Sequence, residues 1–386
     1  MKIDDLRNRL IEIYNRKKPP EPEDFFLVVK EVNTVLESEN NSIRPYNSSG
    51  LPGGLVYLNK TIPTIIVPDI HARMDFFLNI VLFEDNGVSN LEKLELDMLQ
   101  ILCVGDGVHA ERRAAKRWAD AFDEYKGDYS KHNNMDDEMR ESFGLMEMVM
   151  LLKISFPDNF HFLKGNHENI SNEEGNGNYP FRKFSYEGAM VAHYVKKFYD
   201  EDFFDQYYLF EKNIPLFAVG NNFLVSHAEP LTFFSRESII EYRDHPEVTE
   251  GLTWTANEAA EEGSVEKMID YYINNHIESD HEPVNEIDLE YSNNDQEQND
   301  DSDNDDSDNI ESNNIDIDNE KEGIKNIFYF GGHRPVSELY DTRANGKYIQ
   351  LHNPEKFIIA LIKNDKEINL DEDIIELDNR IDDIIS

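Results

Sequence analysis

Several short stretches of this 386-residue chain place carboxylates, an amide and imidazoles at spacings that suit metal binding. Asp69 and His71 in "VPDIHA" are two residues apart, so in an extended segment their side chains project to one side and can chelate a single ion. "VGDGVH" offers a second carboxylate, Asp106, between two glycines. "KGNHE" offers the amide oxygen of Asn166 and another imidazole, His167, while "VSHAE" and "GGHRP" add His227 and His333. Two Asp, one Asn and several His form a mixed oxygen and nitrogen set suited to Mn²⁺, Fe or Zn²⁺ rather than to a thiolate-bound structural zinc. These candidates exceed the needs of one ion. With Asp106 as a bridge, two ions would sit about 3.5–4 Å apart, the spacing used for phosphoester hydrolysis.

Each group ends a run that reads as a β-strand. "TIIVPD", "ILCVGD", "FHFLKGNHE" and "NNFLVSHAE" are short apolar segments rich in β-formers, and helical patterns such as "MEMVMLLKISF" and "YEGAMVAHYVKKFY" lie between them. Alternating strands and helices predict a layered α/β fold with its functional groups at strand ends. Leu6, Leu10, Ile13 and Tyr14 share a helical face that Pro19-Pro20 closes, and a second helix is expected from about Asp24 to Leu36. These helices are assigned to an N-terminal extension, residues 1–45, ahead of a main domain spanning 46–365. Within that domain, about 279–322 is nearly all Asp, Glu, Asn and Ser. It is expected to be a disordered acidic insertion, because it holds too little apolar surface to offset the entropy of ordering. Strand-like runs resume in "IKNIFYFGGHRP" and "KYIQLHNPEKFIIALIK", and residues 366–386 are expected to form an acidic helix or tail.

A net charge of −42 argues against a nucleic-acid backbone or an anionic membrane as the partner and favours divalent cations. The chain has one cysteine, Cys103, inside an apolar run, so no intramolecular disulfide can form. Neither a signal-peptide core nor a run approaching about 18 apolar residues is present, which points to a cytoplasmic protein.

The order of these motifs resembles the calcineurin-like metallophosphoesterases, and within them the serine/threonine phosphoprotein phosphatases (the PPP branch) and their bacterial relatives. "PDIHARMDF", "GDGVHAE", "LKGNHE", "LVSHAEP" and "GGHRP" carry the resemblance, which covers roughly residues 60–275 and 324–365. It implies a sandwich of two mixed β-sheets flanked by helices. It also implies two divalent metals, with Mn²⁺ expected and Fe or Zn²⁺ as alternatives. Asp69 and His71 would hold the first ion, Asp106 would bridge, and Asn166, His227 and His333 would hold the second. Asp106 and His167 become the catalytic pair: Asp106 binds both metals and His167 protonates the leaving group or stabilises charge on phosphate. Pro335 stands where some relatives carry a second histidine, and its presence implies a solvent ligand at that place.

Three departures from the family pattern bear on activity. Ala72 replaces a glycine after His71, and Lys164 replaces an arginine before Gly165. His109 and Ala110 occupy the places of an Asp that orients the catalytic histidine and an Arg that grips phosphate. Compensation would make His109 or Glu111 the orienting residue, with Arg73, Arg112, Arg113 or Lys164 binding the substrate phosphate. His352, after a late strand, is a further candidate to line the site. The expected function is in-line hydrolysis of phosphomonoesters by a metal-bridging hydroxide, on a phosphoprotein first, with a nucleotide or dinucleoside polyphosphate as the alternative substrate. A catalytically impaired metal-binding scaffold is the rival of another class.

Overall fold

The structure, a computed structural model, describes residues 2–175, 180–274, 326–363 and 365–385. The acidic insertion expected at about 279–322 lies outside the described residues. Two mixed sheets stack face to face. The first contains β1 (Leu55–Tyr57), β7 (Phe217–Val219), β8 (Phe223–Ser226), β9 (Phe328–Gly331), β11 (Tyr348–Gln350) and β10 (Asp341–Arg343), in that spatial order. The second runs β13 (Ile374–Glu376), β12 (Ile358–Ile362), β2 (Thr64–Val67), β5 (Gln100–Cys103) and β6 (Phe160–Phe162). A small hairpin, β3 (Glu84–Asp85) with β4 (Val88–Ser89), stands apart.

The strand runs sort their side chains by alternation. In β2, Ile66 faces the other sheet while Ile65 and Val67 face the outer helices, and Leu102 and Cys103 of β5 divide in the same way. Ile66, Leu102, Val104 and Leu163 from one sheet meet Phe223, Val225, Phe330 and Ile349 from the other, filling the middle of the sandwich. Cys103 lies on the helix side, fully buried, where loss of solvation pushes its thiol well above the usual range.

The outer face of the second sheet is covered by helices that include the N-terminal pair. In α1 (Ile3–Asn15), Leu6, Leu10 and Ile13 are buried against α6 (Asn133–Ser155) and α3 (Met74–Val81). In α2 (Pro22–Glu37), Phe25 packs between Phe143 of α6 and Phe203 of α8 (Glu201–Asn213), with ring centroids 5.1 and 5.4 Å away. The two N-terminal helices, assigned from the sequence to an extension, contribute buried residues from Leu6 to Leu36 to the main hydrophobic core. The C-terminal segment, expected as an acidic helix or tail, forms short helices at Leu370–Asp373 and Ile381–Ile385 with a strand between them. That strand is edge strand β13, because Ile374 can pack into the sandwich while β13 pairs with β12. Ile381 beyond it is buried as well.

β2, β5 and β6 are parallel neighbours, and in the other sheet β8, β9 and β11 are parallel neighbours. Both triplets end at one rim of the sandwich, so the loops after six strands converge there.

Candidate metal centre

Five of those six loops carry the predicted ligands. Asp69 and His71 follow β2, Asp106 follows β5, Asn166 and His167 follow β6, His227 follows β8, and His333 follows β9. Turning the chain so sharply forces left-handed backbone at His71 (φ 46°), Ala72 (φ 59°), Asp106 (φ 51°), His109 (φ 63°) and His333 (φ 65°). Such angles are uncommon outside glycine and gather where surrounding structure enforces a functional geometry. Two glycines leave room for the carboxylates: a Cβ on Gly332 would lie 1.8 Å from Asp69 Oδ1, and one on Gly165 would lie 2.1 Å from Asp106 Oδ1.

Asp106 Oδ2 is the hub. It lies 3.3 Å from His227 Nε2 and 3.7 Å from both His71 Nε2 and His167 Nε2. Three overlapping groups, Asp69–His71–His352, His71–Asp106–His167 and Asp69–Asp106–His227, each have donor atoms within 4.8 Å of one another. The imidazoles are aimed by backbone. His71 Nδ1 donates to the His109 carbonyl at 3.1 Å, and His227 Nδ1 to the Val104 carbonyl at 3.2 Å, so both rings turn Nε2 into the centre. Asn166 Oδ1 lies 3.0 Å from His227 Nε2 and 2.9 Å from His333 Nδ1. His333 Nε2 and His352 Nδ1 are buried without a hydrogen-bond partner. Crowded carboxylates, converging imidazole nitrogens and orphaned polar atoms fit divalent cations, which such atoms would satisfy.

The electrostatics agree with this reading. Burial alone would raise Asp106, but His167, His227 and His71 hold it well below the carboxylate range. Burial would lower His227, yet Asp106 and Asp69 lift it to about 9. A field that draws a proton onto His227 also draws a cation, so metal and proton compete there. Glu168 binds the loops together: its carboxylate accepts from the backbone N–H of Asp106, Gly107 and Gly165 at 2.8–2.9 Å. Burial and the nearby Asp106 push Glu168 up to about 7.

The residues proposed to compensate for the missing Asp-Arg pair divide among separate tasks. His109 Nδ1 lies 3.0 Å from His167 Nδ1, so His109 contacts the catalytic candidate directly. Burial, and then His71, drive His109 down to about 3. Glu111 does not reach His167 by a hydrogen bond; it accepts from His352 Nε2 at 3.0 Å and from Lys183 Nζ at 2.7 Å. Two of the proposed phosphate grips are engaged by hydrogen bonds or ion pairs within the fold, although Arg73 also lines the cleft beside His71 and Glu111. Arg73 donates to the carbonyls of Asp69, Ile70, Asn353 and Lys356, which commits its guanidinium to holding loops together. Lys164 is turned away, donating to the Glu211 carbonyl and pairing with Glu174 at 2.6 Å. Arg113 donates to the Ala72 carbonyl at 3.0 Å and to Glu141 at 2.7 Å, whereas Arg112 is 83% exposed and only loosely paired with Glu355 at 3.8 Å. Both arginines flank a cleft of about 360 Å³ that also exposes His71 and Glu111. Sequence reasoning gave His352 only an unspecified place at the site's edge, and its 3.7 Å approach to Asp69 Oδ2 puts it inside the centre. Its one sequence signal was a histidine directly after a strand.

No family model matches the chain, and no curated protein does. Among solved structures, it aligns with a protein serine/threonine phosphatase from Saccharomyces cerevisiae with similarity to human phosphatase PP5. The alignment covers 93% of this chain and 89% of that one, at a TM-score of 0.50 and 14% identity. A cold-active protein-tyrosine phosphatase of a psychrophilic Shewanella species aligns over 84% of this chain and 82% of its own, at a TM-score of 0.36 and 13% identity. The first likeness shows the fold alone, and the two mixed sheets flanked by helices are the sandwich expected from the sequence. Among the described residues, no helix is long and apolar enough to cross a membrane.

Proposed function

We propose that the protein is a dinuclear metal-dependent phosphoesterase that hydrolyses phosphomonoesters, with a phosphoprotein carrying phosphoserine or phosphothreonine as the substrate class. The observation that supports this most is the overlap of three ligand groups through Asp69, His71 and Asp106 at the converging strand ends. Asp69 and His71 would hold the first ion, Asn166, His227 and His333 the second, and Asp106 both. Such a pair of cations, most suitably Mn²⁺, supplies an activated water and neutralises phosphate charge. The remaining steps belong to the chain. If His109 donates from Nδ1, His167 keeps its hydrogen on Nε2, the nitrogen turned towards Asp106, and as a neutral imidazole can donate a hydrogen bond that stabilises charge building on the phosphate and the departing oxygen. Phe181, whose ring centroid lies 3.7 Å from that of His167, keeps water from this side of the imidazole. Arg112, exposed at the mouth of the cleft and only loosely paired with Glu355, can turn to meet an incoming phosphate.

The test is turnover of p-nitrophenyl phosphate by purified protein supplied with Mn²⁺, with Asp106→Asn as the reference. A phosphoserine peptide measured against diadenosine tetraphosphate decides the substrate class, and preference for the latter replaces the phosphoprotein reading with a nucleotide hydrolase. Absence of turnover above Asp106→Asn on all three substrates makes the protein a metal-binding scaffold.

A further inference from the structure

Pro335 implies a solvent ligand where some relatives carry a second histidine, and a histidine from elsewhere in the chain lies at the same rim. β11 runs parallel to β9 with Gln350 opposite Gly331, so the loop after β11 emerges beside the loop carrying His333. His352 is thereby delivered to the same rim, and its side chain is 1% exposed. Its Nε2 lies 3.0 Å from Glu111 Oε2. The other oxygen of the same carboxylate accepts from Lys183 Nζ at 2.7 Å. A carboxylate paired with the Lys183 ammonium serves as acceptor to His352, so the hydrogen of His352 sits on Nε2 and Nδ1 presents a bare lone pair. That Nδ1 has no hydrogen-bond partner and faces Asp69 Oδ2 at 3.7 Å. The two acceptors repel each other unless something positive lies near both. The His71 ring stands edge-on to that of His352 with centroids 5.2 Å apart, and Asp69, His71 and His352 bring their donor atoms within 4.8 Å.

We propose that His352 Nδ1 is a protein ligand of the first metal ion, alongside Asp69, His71 and Asp106, and that Glu111 is the carboxylate fixing its tautomer. The inference rests on the dinuclear reading given above. It also gives Glu111 a different task from orienting His167: a carboxylate behind a metal-bound imidazole sets the ring's orientation and raises its basicity. The first site would then be closed by protein, which favours an ion held tightly through turnover.

Metal counting on the full chain tests this without reference to activity. Metal-stripped wild-type protein and variants are titrated with Mn²⁺, and bound metal is measured by elemental analysis and electron paramagnetic resonance. Wild type is expected to bind two ions with the signal of a coupled pair. His352→Ala is expected to retain one ion, give the signal of isolated Mn²⁺, and bind the other ion more than about 100-fold more weakly, since loss of a supporting carboxylate alone costs about 10–100-fold. Glu111→Gln should weaken the same ion within that range. The single ion retained by His352→Ala reports an intact fold, and His352→Gln gives the same reading should the alanine variant unfold. Two ions bound to His352→Ala with unchanged affinity would overturn the assignment. So would loss of the first ion on Glu111→Gln combined with no effect at His352, which would make Glu111 the ligand. Wild type that binds no metal would bring down the dinuclear reading itself, an outcome distinct from either.

Discussion

Replacing Arg73 with methionine separates a loop clamp from a phosphate grip. The guanidinium is 6% exposed and gives four hydrogen bonds of 2.9–3.1 Å to the carbonyls of Ile70, Asn353, Lys356 and Asp69. Hydrogen bonds to charged groups contribute about 1.5 kcal/mol each at the lower end of their range, or about 6 kcal/mol for four. Burial opposes this by drawing Arg73 down from its ordinary value to about 10, against the partial support of Glu111 and Asp75, and that shift offsets about 3 kcal/mol. Arg73→Met should therefore destabilise the protein by about 3 kcal/mol, and Arg73→Lys by less, because an ammonium keeps the charge but cannot span both loops. Urea unfolding of metal-free protein measures the difference, with the slope checked for constancy. Kinetics on p-nitrophenyl phosphate provide the contrast. A stability loss under about 1 kcal/mol with KM raised about tenfold or more would refute the clamp and restore Arg73 as a phosphate ligand.

Arg112→Ala should raise KM about three- to tenfold with no change in unfolding midpoint, whereas Arg113→Ala should lower stability by about 1–2 kcal/mol, because Arg113 braces the Ala72 carbonyl. Far from the metal centre, burial would raise Glu39, but Lys153 and Arg44 pull it down to about 2. The stability this contributes is present above the unfolded value near 4.5 and is lost as pH falls towards 2. Glu39→Gln should accordingly cost about 3 kcal/mol at pH 7, a difference that shrinks steadily between pH 4.5 and 2 in urea titrations. Added Mn²⁺ at about 100 times its dissociation constant should stabilise metal-stripped protein by about 2.7 kcal/mol per site, and Asp106→Asn should abolish most of that gain in a thermal melt.

The ligand-bearing loops were legible in the sequence because their cause is local. An apolar β-rich run ending on Gly-Asp or Gly-Asn-His specifies a strand and the group at its end, and Asp69, His71, Asp106, Asn166, His227 and His333 emerge at one rim as those runs imply. The reach of the long polar side chains was not legible. Arg73 and Lys164 read as phosphate cations, and folding gives both of them backbone carbonyls from segments distant in sequence, Asn353 and Lys356 in one case and Glu211 in the other. Likewise His109 and Glu111, two residues apart, part company: one turns to His167 and the other to His352. His352 enters the centre only because β11 pairs parallel to β9, a register set by the packing of Ile349 and Phe330 within the sandwich. Which atoms can bind a metal follows from residue type and strand ending; which of them meet depends on how distant strands pair, and that is a property of the whole core.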